Sequence, residues 1–183
     1  MSRDADRLNL GCGLDIREGW VNLDSAKLPG VDVVHDLAVV PLPFADASFS
    51  EILCQDVLEH VNYAPVLRDL HRILRPGGRV VIRSPHFTSR AVYIDPTHRT
   101  AFSIDTFAFF ARESDYRDRS YYYDFSFERI ESVRITFHRY RWQPWNYLVE
   151  PLVNRSLGAQ RYYEDTFFSR LFPAANVEVV LVK

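Results

Sequence analysis

The stretch Leu8-Asn9-Leu10-Gly11-Cys12-Gly13 places two glycines directly after a short apolar run. Glycine lets the backbone turn tightly and approach a ligand closely. Two glycines at the end of a first strand therefore predict a nucleotide-like cofactor at the carboxyl end of that strand. Taken alone, the same pattern also fits an ordinary turn.

Further apolar runs of strand length surround this motif, at residues 7–10, 20–23, 31–34, 52–54 and 80–82. Such runs are typical of parallel strands that are buried on both faces. Before the last of them, apolar residues recur at helical spacing over 66–74, and Pro76-Gly77-Gly78 predicts where that helix ends. The pattern predicts an α/β fold with a doubly wound, mostly parallel sheet.

The second half of the chain changes character. Ser103 is a predicted N-cap for a helix over 104–111, and the polar, tyrosine-rich stretch 112–124 is predicted to be a loop. Apolar and polar residues alternate over 133–137, and 177–182 is rich in β-branched residues. These two segments are expected to pair antiparallel as a C-terminal hairpin at the edge of the sheet.

Residues 141–175, between these two strands, are rich in aromatic side chains and interrupted by prolines. This composition predicts an insertion of short helices packed on the domain. Its aromatic residues, Trp145 and Tyr147 among them, need cover from water. We expect the insertion to form part of a lid over the ligand pocket at the sheet edge and to offer its outer face to a homodimer. A purely structural helical excursion is the alternative.

More motifs follow the glycine loop in order. The second predicted strand ends on Asp24, where doubly wound folds bind the hydroxyls of a cofactor ribose. His35-Asp36-Leu37, then Val57-Leu58-Glu59-His60, then Arg75-Pro76-Gly77-Gly78 complete the series. Over about residues 7–87 this ordered set resembles the class I S-adenosylmethionine-dependent methyltransferases, in particular the methyltransferase type 11 group.

The resemblance implies S-adenosylmethionine as cofactor and a Rossmann-like methyltransferase sheet. It implies contacts to the cofactor from the glycine loop, from Asp24 at the ribose, from the adenine side, from the residues after the fourth strand, and from the histidine that ends that motif. The implied cofactor-binding residues are Leu10, Gly11, Cys12, Gly13, Asp24, Asp36, Leu37, Gln55, Asp56 and His60. A packing role for His60 beneath the site is an equal alternative.

Two features depart from the family pattern. Only residues 14–19 separate Gly13 from Trp20, which is shorter than the dozen or more residues of a helical crossover. The first helix is therefore expected to be truncated or replaced by a tight loop. The sequence also starts almost at the first strand, without the N-terminal helices that usually cover the cofactor, so an open pocket is expected.

Methyl transfer from a sulfonium requires the acceptor to be aligned and, for some acceptors, deprotonated. His86 and His98 follow the fifth predicted strand and are the candidate bases, because histidine titrates near neutral pH. A structural role is the alternative for each. His86, Asp95 and His98 match no established metal-ligand spacing, so no metal is predicted. The predicted reaction is methyl transfer to an oxygen or nitrogen of a small molecule.

The main alternative is a methyltransferase fold that has lost turnover and binds a protein partner. A nicotinamide-dependent enzyme is disfavoured, because Ile16 stands where a third glycine is expected and Asp24 follows the loop too closely. The 22 basic and 24 acidic side chains give a net charge of −2, so no nucleic-acid partner is expected.

Composition limits the remaining possibilities. Forty-seven per cent hydrophobic and 25% charged residues describe a globular protein, and 183 residues suit one domain spanning 1–183. The 2 cysteines fit a reducing cytoplasm, and no apolar run approaches the length of a membrane span. We therefore expect a cytoplasmic enzyme without a membrane span.

Overall fold

The computed structural model describes residues 5–183, except for the side chains of Arg117, Arg119 and Ser120. The described residues form one mixed sheet of eight strands. In chain order these are β1 (Arg7–Leu10), β2 (Val21–Asp24), β3 (Val33–Val34), β4 (Phe49–Gln55), β5 (Leu74–Pro85), β6 (Ala111–Glu113), β7 (Phe127–Thr136) and β8 (Asn176–Val182).

The strands lie in the order β3-β2-β1-β4-β5-β8-β7-β6. The first five of these are parallel, and β8 runs antiparallel to both β5 and β7. This confirms the doubly wound, mostly parallel sheet with an antiparallel C-terminal hairpin. The hairpin is not the edge, however, because β6 pairs parallel with β7 outside it. The prediction of a loop over 112–124 was wrong at residues 112–113, which belong to β6. A strand of three residues is too short to show a recognisable periodicity.

Five α-helices are present among the described residues, together with 3₁₀ helices at Leu58–His60, Thr106–Phe110 and Arg117–Tyr122. The α-helices are α1 (Tyr63–Ile73), α2 (Ala91–Ile94), α3 (Asn146–Val153), α4 (Leu157–Asp165) and α5 (Phe168–Leu171). None of the described helices is long and apolar enough to cross a membrane.

Two predicted helix boundaries differ from the structure. The helix predicted over 104–111 is the shorter 3₁₀ helix Thr106–Phe110, with Asp105 rather than Ser103 at its N-cap. α1 ends at Ile73, and Pro76-Gly77-Gly78 lies within β5 beside an irregularity in its pairing with β4. The Pro-Gly-Gly signal therefore marks a distorted strand start rather than a separate turn.

Alternate residues of the central strands face the two sides of the sheet. Ile52, Cys54, Val80 and Ile82 are fully buried in one core cluster with the apolar residues of α1. Residues of the opposite parity are more polar, and Gln55 and Arg83 line a cavity of about 520 Å³ on the other face. Around β4 and β5, the face of the sheet that packs against α1 is therefore buried and apolar, and the opposite face is more polar and more accessible.

No helix connects β1 to β2, and residues 11–20 form turns instead. Two buried asparagines hold this connection. The Asn9 side chain donates to the Asp15 carbonyl at 2.6 Å and to Asn22 Oδ1 at 3.1 Å. The Asn22 side chain accepts from the Arg17 N–H at 2.9 Å and donates to the Arg17 carbonyl at 3.1 Å. This confirms the replaced first helix and shows what replaces it.

The insertion 141–175 contains α3, α4 and α5, which confirms the expected short helices. The buried Glu150 accepts from the Phe137 N–H at 3.2 Å and binds the guanidinium of Arg134. The Asn154 side chain accepts from the Ile135 N–H and donates to the Ile135 carbonyl. These bonds fasten the insertion along β7.

We expect Asn22→Ala to destabilise the protein by about 2–4 kcal/mol, because the buried Asn9 side chain and the half-buried backbone N–H and carbonyl of Arg17 lose their partner. Chemical denaturation would measure the free energy of unfolding. Asn62→Ala is the matched control, since Asn62 is exposed at the start of α1 and its side chain makes no capping bond. The control should stay within about 0.5 kcal/mol of the parent. Equal effects of both substitutions would contradict the role of Asn22.

Candidate cofactor and acceptor site

The carboxyl ends of β1, β2 and β4 meet at one edge of the sheet. Leu10, the last residue of β1, pairs with Leu23 on one side and with Cys54 on the other. The segments that follow these three strands are therefore neighbours. This edge is where doubly wound sheets bind their ligands.

The glycine loop begins this edge. Gly11 has φ +64° and Gly13 has φ +49°, both in the left-handed region that favours glycine. A Cβ on Gly11 would lie 2.3 Å from Val57 Cγ2, so this glycine permits close packing of the loop on the segment after β4. A Cβ on Gly13 would meet no atom within 4 Å. The space in front of Gly13 is therefore open to a ligand.

Asp24 closes the loop from the next strand. Its Oδ2 accepts from the Gly13 N–H at 2.8 Å, and its Oδ1 accepts from the Ala26 N–H at 2.8 Å. A carboxylate offers about four acceptor positions, so about two remain. Two neighbouring hydroxyls of a ribose would use the remaining positions, and the residues present therefore fit this part of S-adenosylmethionine.

The other implied cofactor residues lie around this pair. Leu10 and Cys12 are buried, and the Cys12 N–H donates to the Leu23 carbonyl at 3.0 Å. Burial and the carboxylate of Asp24 raise the pKa of the Cys12 thiol, which keeps it neutral. Leu37 is buried beyond β3, where the exposed Asp36 accepts from the Ala38 N–H at 2.9 Å.

Gln55 and Asp56 follow β4 directly. Asp56 has φ +54° and forms an ion pair with Arg83. Gln55 is half-buried and lies on the open face of the sheet. The strained turn at Asp56 leads the chain into the 3₁₀ helix Leu58–His60 at the same edge.

A cluster of Glu59, His60 and His98 lies beside this helix. The ring centroids of His60 and His98 are 4.6 Å apart, and His60 Nδ1 lies 2.8 Å from Thr97 Oγ1. The Arg99 N–H donates to the Glu59 carbonyl at 2.7 Å, which joins the loop of residues 95–99 to the segment after β4. Burial and the neighbouring His98 lower the pKa of His60. The structure therefore brings His60 and His98 together.

His86 lies elsewhere. Its ring is fully buried, with Nε2 2.9 Å from Glu164 Oε1 and Nδ1 2.8 Å from Thr88 Oγ1. Glu164 Oε1 also accepts from the Ile104 N–H at 2.9 Å. With both ring nitrogens engaged inside the fold, His86 suits a structural role better than the predicted role of base.

Three residues of this region were missed by the sequence reasoning about chemistry. Glu59 and Thr97 stand in motifs near the implied site but were given no role, and Glu164 was not considered. Glu59 directly precedes His60, so its place beside an implied site was a usable signal. Nothing in the sequence connects Glu164 to His86, because they lie 78 positions apart and meet only through the insertion.

Comparison with known proteins agrees with this geometry. Residues 4–82 match the family model described as a methyltransferase domain. A protein of Methanocaldococcus jannaschii is 33% identical over 78 residues, 38% of this chain and 35% of its own length. The demethylmenaquinone methyltransferase of Lysinibacillus sphaericus is 33% identical over 73 residues, 38% of this chain and 31% of its own length. The chain thus spans about a third of these curated relatives.

The likeness in fold extends further than the likeness in sequence. A crystal structure of a SAM-dependent methyltransferase from Archaeoglobus fulgidus superposes with a TM-score of 0.59 at 16% identity, over 97% of this chain and 85% of that one. Residues 4–82 therefore resemble a methyltransferase domain, and the chain as a whole shares the fold of this solved SAM-dependent methyltransferase.

Proposed function

We propose that the protein transfers a methyl group from S-adenosylmethionine to an oxygen or nitrogen of a small-molecule acceptor. The observation that carries this proposal is the Asp24 carboxylate, which is held by the Gly13 N–H and still has free acceptor positions. It stands beside an open glycine loop at the carboxyl edge of the sheet. A lost cofactor site would not be expected to keep this arrangement.

Bound S-adenosylmethionine supplies a methyl group that is already activated by its sulfonium. The chain's own residues then have to bind and orient. Asp24 would hold the ribose, Asp36 and Leu37 would border the adenine, and the glycine loop would lie along the methionine portion. Gln55 and Asp56 flank the methyl-bearing end. Since transfer is an in-line displacement, holding the acceptor about 3 Å from the methyl group is the principal requirement.

The acceptor side is formed by the residues that follow β4 and β5. The loop of residues 95–99 is fastened there by the bond from Arg99 to Glu59. Of the two histidines predicted at this side, His98 remains half-buried, whereas His86 is enclosed by Glu164 and Thr88. We therefore keep His98 as the histidine of the acceptor side and assign His86 to the framework.

The insertion 141–175 supports a lid over the acceptor. Thr136 and Pro85 both pair with Asn176, so the insertion leaves β7 and enters β8 at the carboxyl edge of β5. Trp145 is 45% exposed and Tyr147 is 56% exposed. These partly exposed aromatic side chains, in a segment that starts and ends at this edge, are available to contact an acceptor or a second copy of the chain.

A binding module without turnover is the second candidate. The observation that favours it is the apolar outer face of the insertion, where several large side chains are more than half exposed, namely Leu148, Leu152, Tyr162, Phe167 and Leu171. Surfaces of this kind are typical of protein contacts. Such a module would bind cofactor and a protein partner but would transfer no methyl group.

Calorimetry with S-adenosylmethionine and S-adenosylhomocysteine tests the first step. Incubation with labelled methyl donor then tests transfer to a panel of phenols, quinols, amines and carboxylic acids. Quinols belong in the panel because a relative is named demethylmenaquinone methyltransferase. Cofactor binding without transfer to any acceptor, together with capture of a defined protein partner, would favour the second candidate. Absence of cofactor binding by folded protein would contradict both.

We expect Asp24→Ala to weaken cofactor binding by about 1.5–3 kcal/mol, because hydrogen bonds to a charged group are lost. Calorimetry measures the change. Asp165→Ala removes an exposed carboxylate of α4 and serves as the control, with unchanged affinity. An affinity of Asp24→Ala equal to that of the parent would contradict the proposed ribose contact.

Trp145→Ala and Tyr147→Ala test the lid. Each is expected to raise the KM for the acceptor about fivefold, equivalent to about 1 kcal/mol of lost aromatic contact, with cofactor affinity unchanged. Tyr122→Ala is the control, because Tyr122 is 61% exposed outside the insertion. If neither substitution changes acceptor kinetics, and light scattering shows the same oligomeric state, the insertion is structural only.

A further inference from the structure

Glu59 breaks the usual rule for buried charged groups. Its side chain is 1% exposed, and neither carboxylate oxygen has a hydrogen-bond partner among the described residues. The buried Ser84 hydroxyl lies close to this carboxylate but makes no hydrogen bond of standard geometry with it. A buried carboxylate without partners is costly, so such a group in a native fold points to a ligand.

Two imidazoles face the same space. One ligand-capable atom from each of Glu59, His60 and His98 lies within 4.8 Å of the other two. His98 Nδ1 is itself buried and without a partner among the described residues. Three side chains that can bind a metal, on two separate segments, thus converge at the carboxyl edge of β4.

The tautomer of His60 follows from its neighbours. The Thr97 hydroxyl has one hydrogen, which it donates to Asp95 Oδ1 at 2.6 Å. Thr97 Oγ1 must therefore accept the hydrogen of His60 Nδ1, which lies 2.8 Å away. The lone pair of His60 is left on Nε2. A hydroxyl and a carboxylate behind a ring N–H are the usual support for a metal-bound histidine.

We propose that Glu59, His60 and His98 form a binding site for a divalent first-row transition metal ion of the zinc type. Ligands about 2.0–2.2 Å from zinc in a tetrahedron stand about 3.4 Å from one another. These three atoms lie within 4.8 Å of one another, so they have to approach by up to about 1.4 Å. Both histidines are half-buried, and His98 lies on a loop whose backbone can move toward Glu59 and His60.

The donor set selects the class of ion. Two imidazoles and one carboxylate suit Zn²⁺ and neighbouring transition metals, whereas Mg²⁺ and Ca²⁺ prefer oxygen ligands alone. Three protein ligands also leave a coordination position open, as in catalytic zinc sites.

The open position gives the site a role in the proposed reaction, and this step rests on the proposed function. An acceptor hydroxyl bound there would release its proton to solvent water more readily, because a divalent cation stabilises the negative oxygen that remains. His98 would then be a ligand rather than a base. Metal binding itself depends on neither methyl transfer nor bound cofactor, so the two proposals fail separately.

The competing explanation is a neutral, protonated Glu59 in a dry pocket. Burial raises the pKa of the Glu59 carboxyl, and this is what such an explanation requires. A neutral Glu59 does not explain why His98 Nδ1 is also buried without a partner in the described part of the chain. It also does not explain why Thr97 and Asp95 hold the ring of His60 in one tautomer. The two explanations differ in their response to Zn²⁺, which makes them separable.

Titration of the full metal-free chain with Zn²⁺ by calorimetry, without cofactor, tests the site. One ion per chain should bind, and Mg²⁺ should bind far more weakly. Glu59→Gln keeps the side-chain shape and His98→Ala removes a loop ligand, and each should weaken Zn²⁺ binding at least about a hundredfold. Thr97→Val removes only the support of His60 and should weaken it about 10- to 100-fold.

His138→Ala is the matched control, because His138 is exposed and stacks on Tyr140 outside the cluster. Its affinity for Zn²⁺ should equal that of the parent. Co²⁺ in place of Zn²⁺ should give visible absorption bands that Glu59→Gln and His98→Ala abolish. Absence of one-site Zn²⁺ binding overturns the proposal, as does parental affinity in both ligand variants while their circular dichroism shows a native fold.

Discussion

The short connection between β1 and β2 is the constraint on which the rest of the cofactor edge depends. Two parallel neighbours normally require a helical crossover, which also covers one face of the sheet. Residues 11–20 are too few for a helical crossover and still have to return the chain to the start of β2. Asn9 and Asn22 make this possible by bonding the backbone of Asp15 and Arg17 from inside the sheet. Buried polar side chains thus take the place of helical hydrogen bonds.

The connection made by Asn9 and Asn22 also determines the geometry of the glycine loop and Asp24. Asn9 and Asn22 lie on paired strands, and the residues that follow them along the chain include the glycine loop and Asp24. The connection therefore keeps Gly13 close enough to donate to Asp24, which orients the carboxylate before any ligand arrives. A carboxylate held in advance binds with less loss of side-chain entropy. Without a first helix, the same loop is open on its outer side.

The elements that could be predicted from the sequence are those whose burial leaves a local apolar pattern. The parallel strands, α1 and the antiparallel pairing of β7 with β8 were all indicated by apolar periodicity, which burial in the sheet enforces. Prediction from the sequence failed at β6 and at the N-terminus of β5, because a three-residue strand and a distorted strand start have no periodic signal. The residues implied at the cofactor were indicated by motifs. Contacts across long sequence separations, such as that between His86 and Glu164, had no signal to read.

The two histidines predicted as bases show why residue type alone does not decide function. Both follow β5, and both carry the same titratable ring. His86 lies where the insertion closes over the sheet, so Glu164 from α4 and Thr88 use both of its nitrogens, and it joins the insertion to the end of β5. His98 lies farther along the chain on a loop that is joined to Glu59 and His60, and its Nδ1 has no partner among the described residues. A ring with both nitrogens satisfied stabilises the fold, whereas a ring with a free buried nitrogen beside Glu59 is available for a ligand. Glu164 of the insertion therefore gives His86 a structural role, whereas His98 at the same edge of the sheet stays available for a ligand.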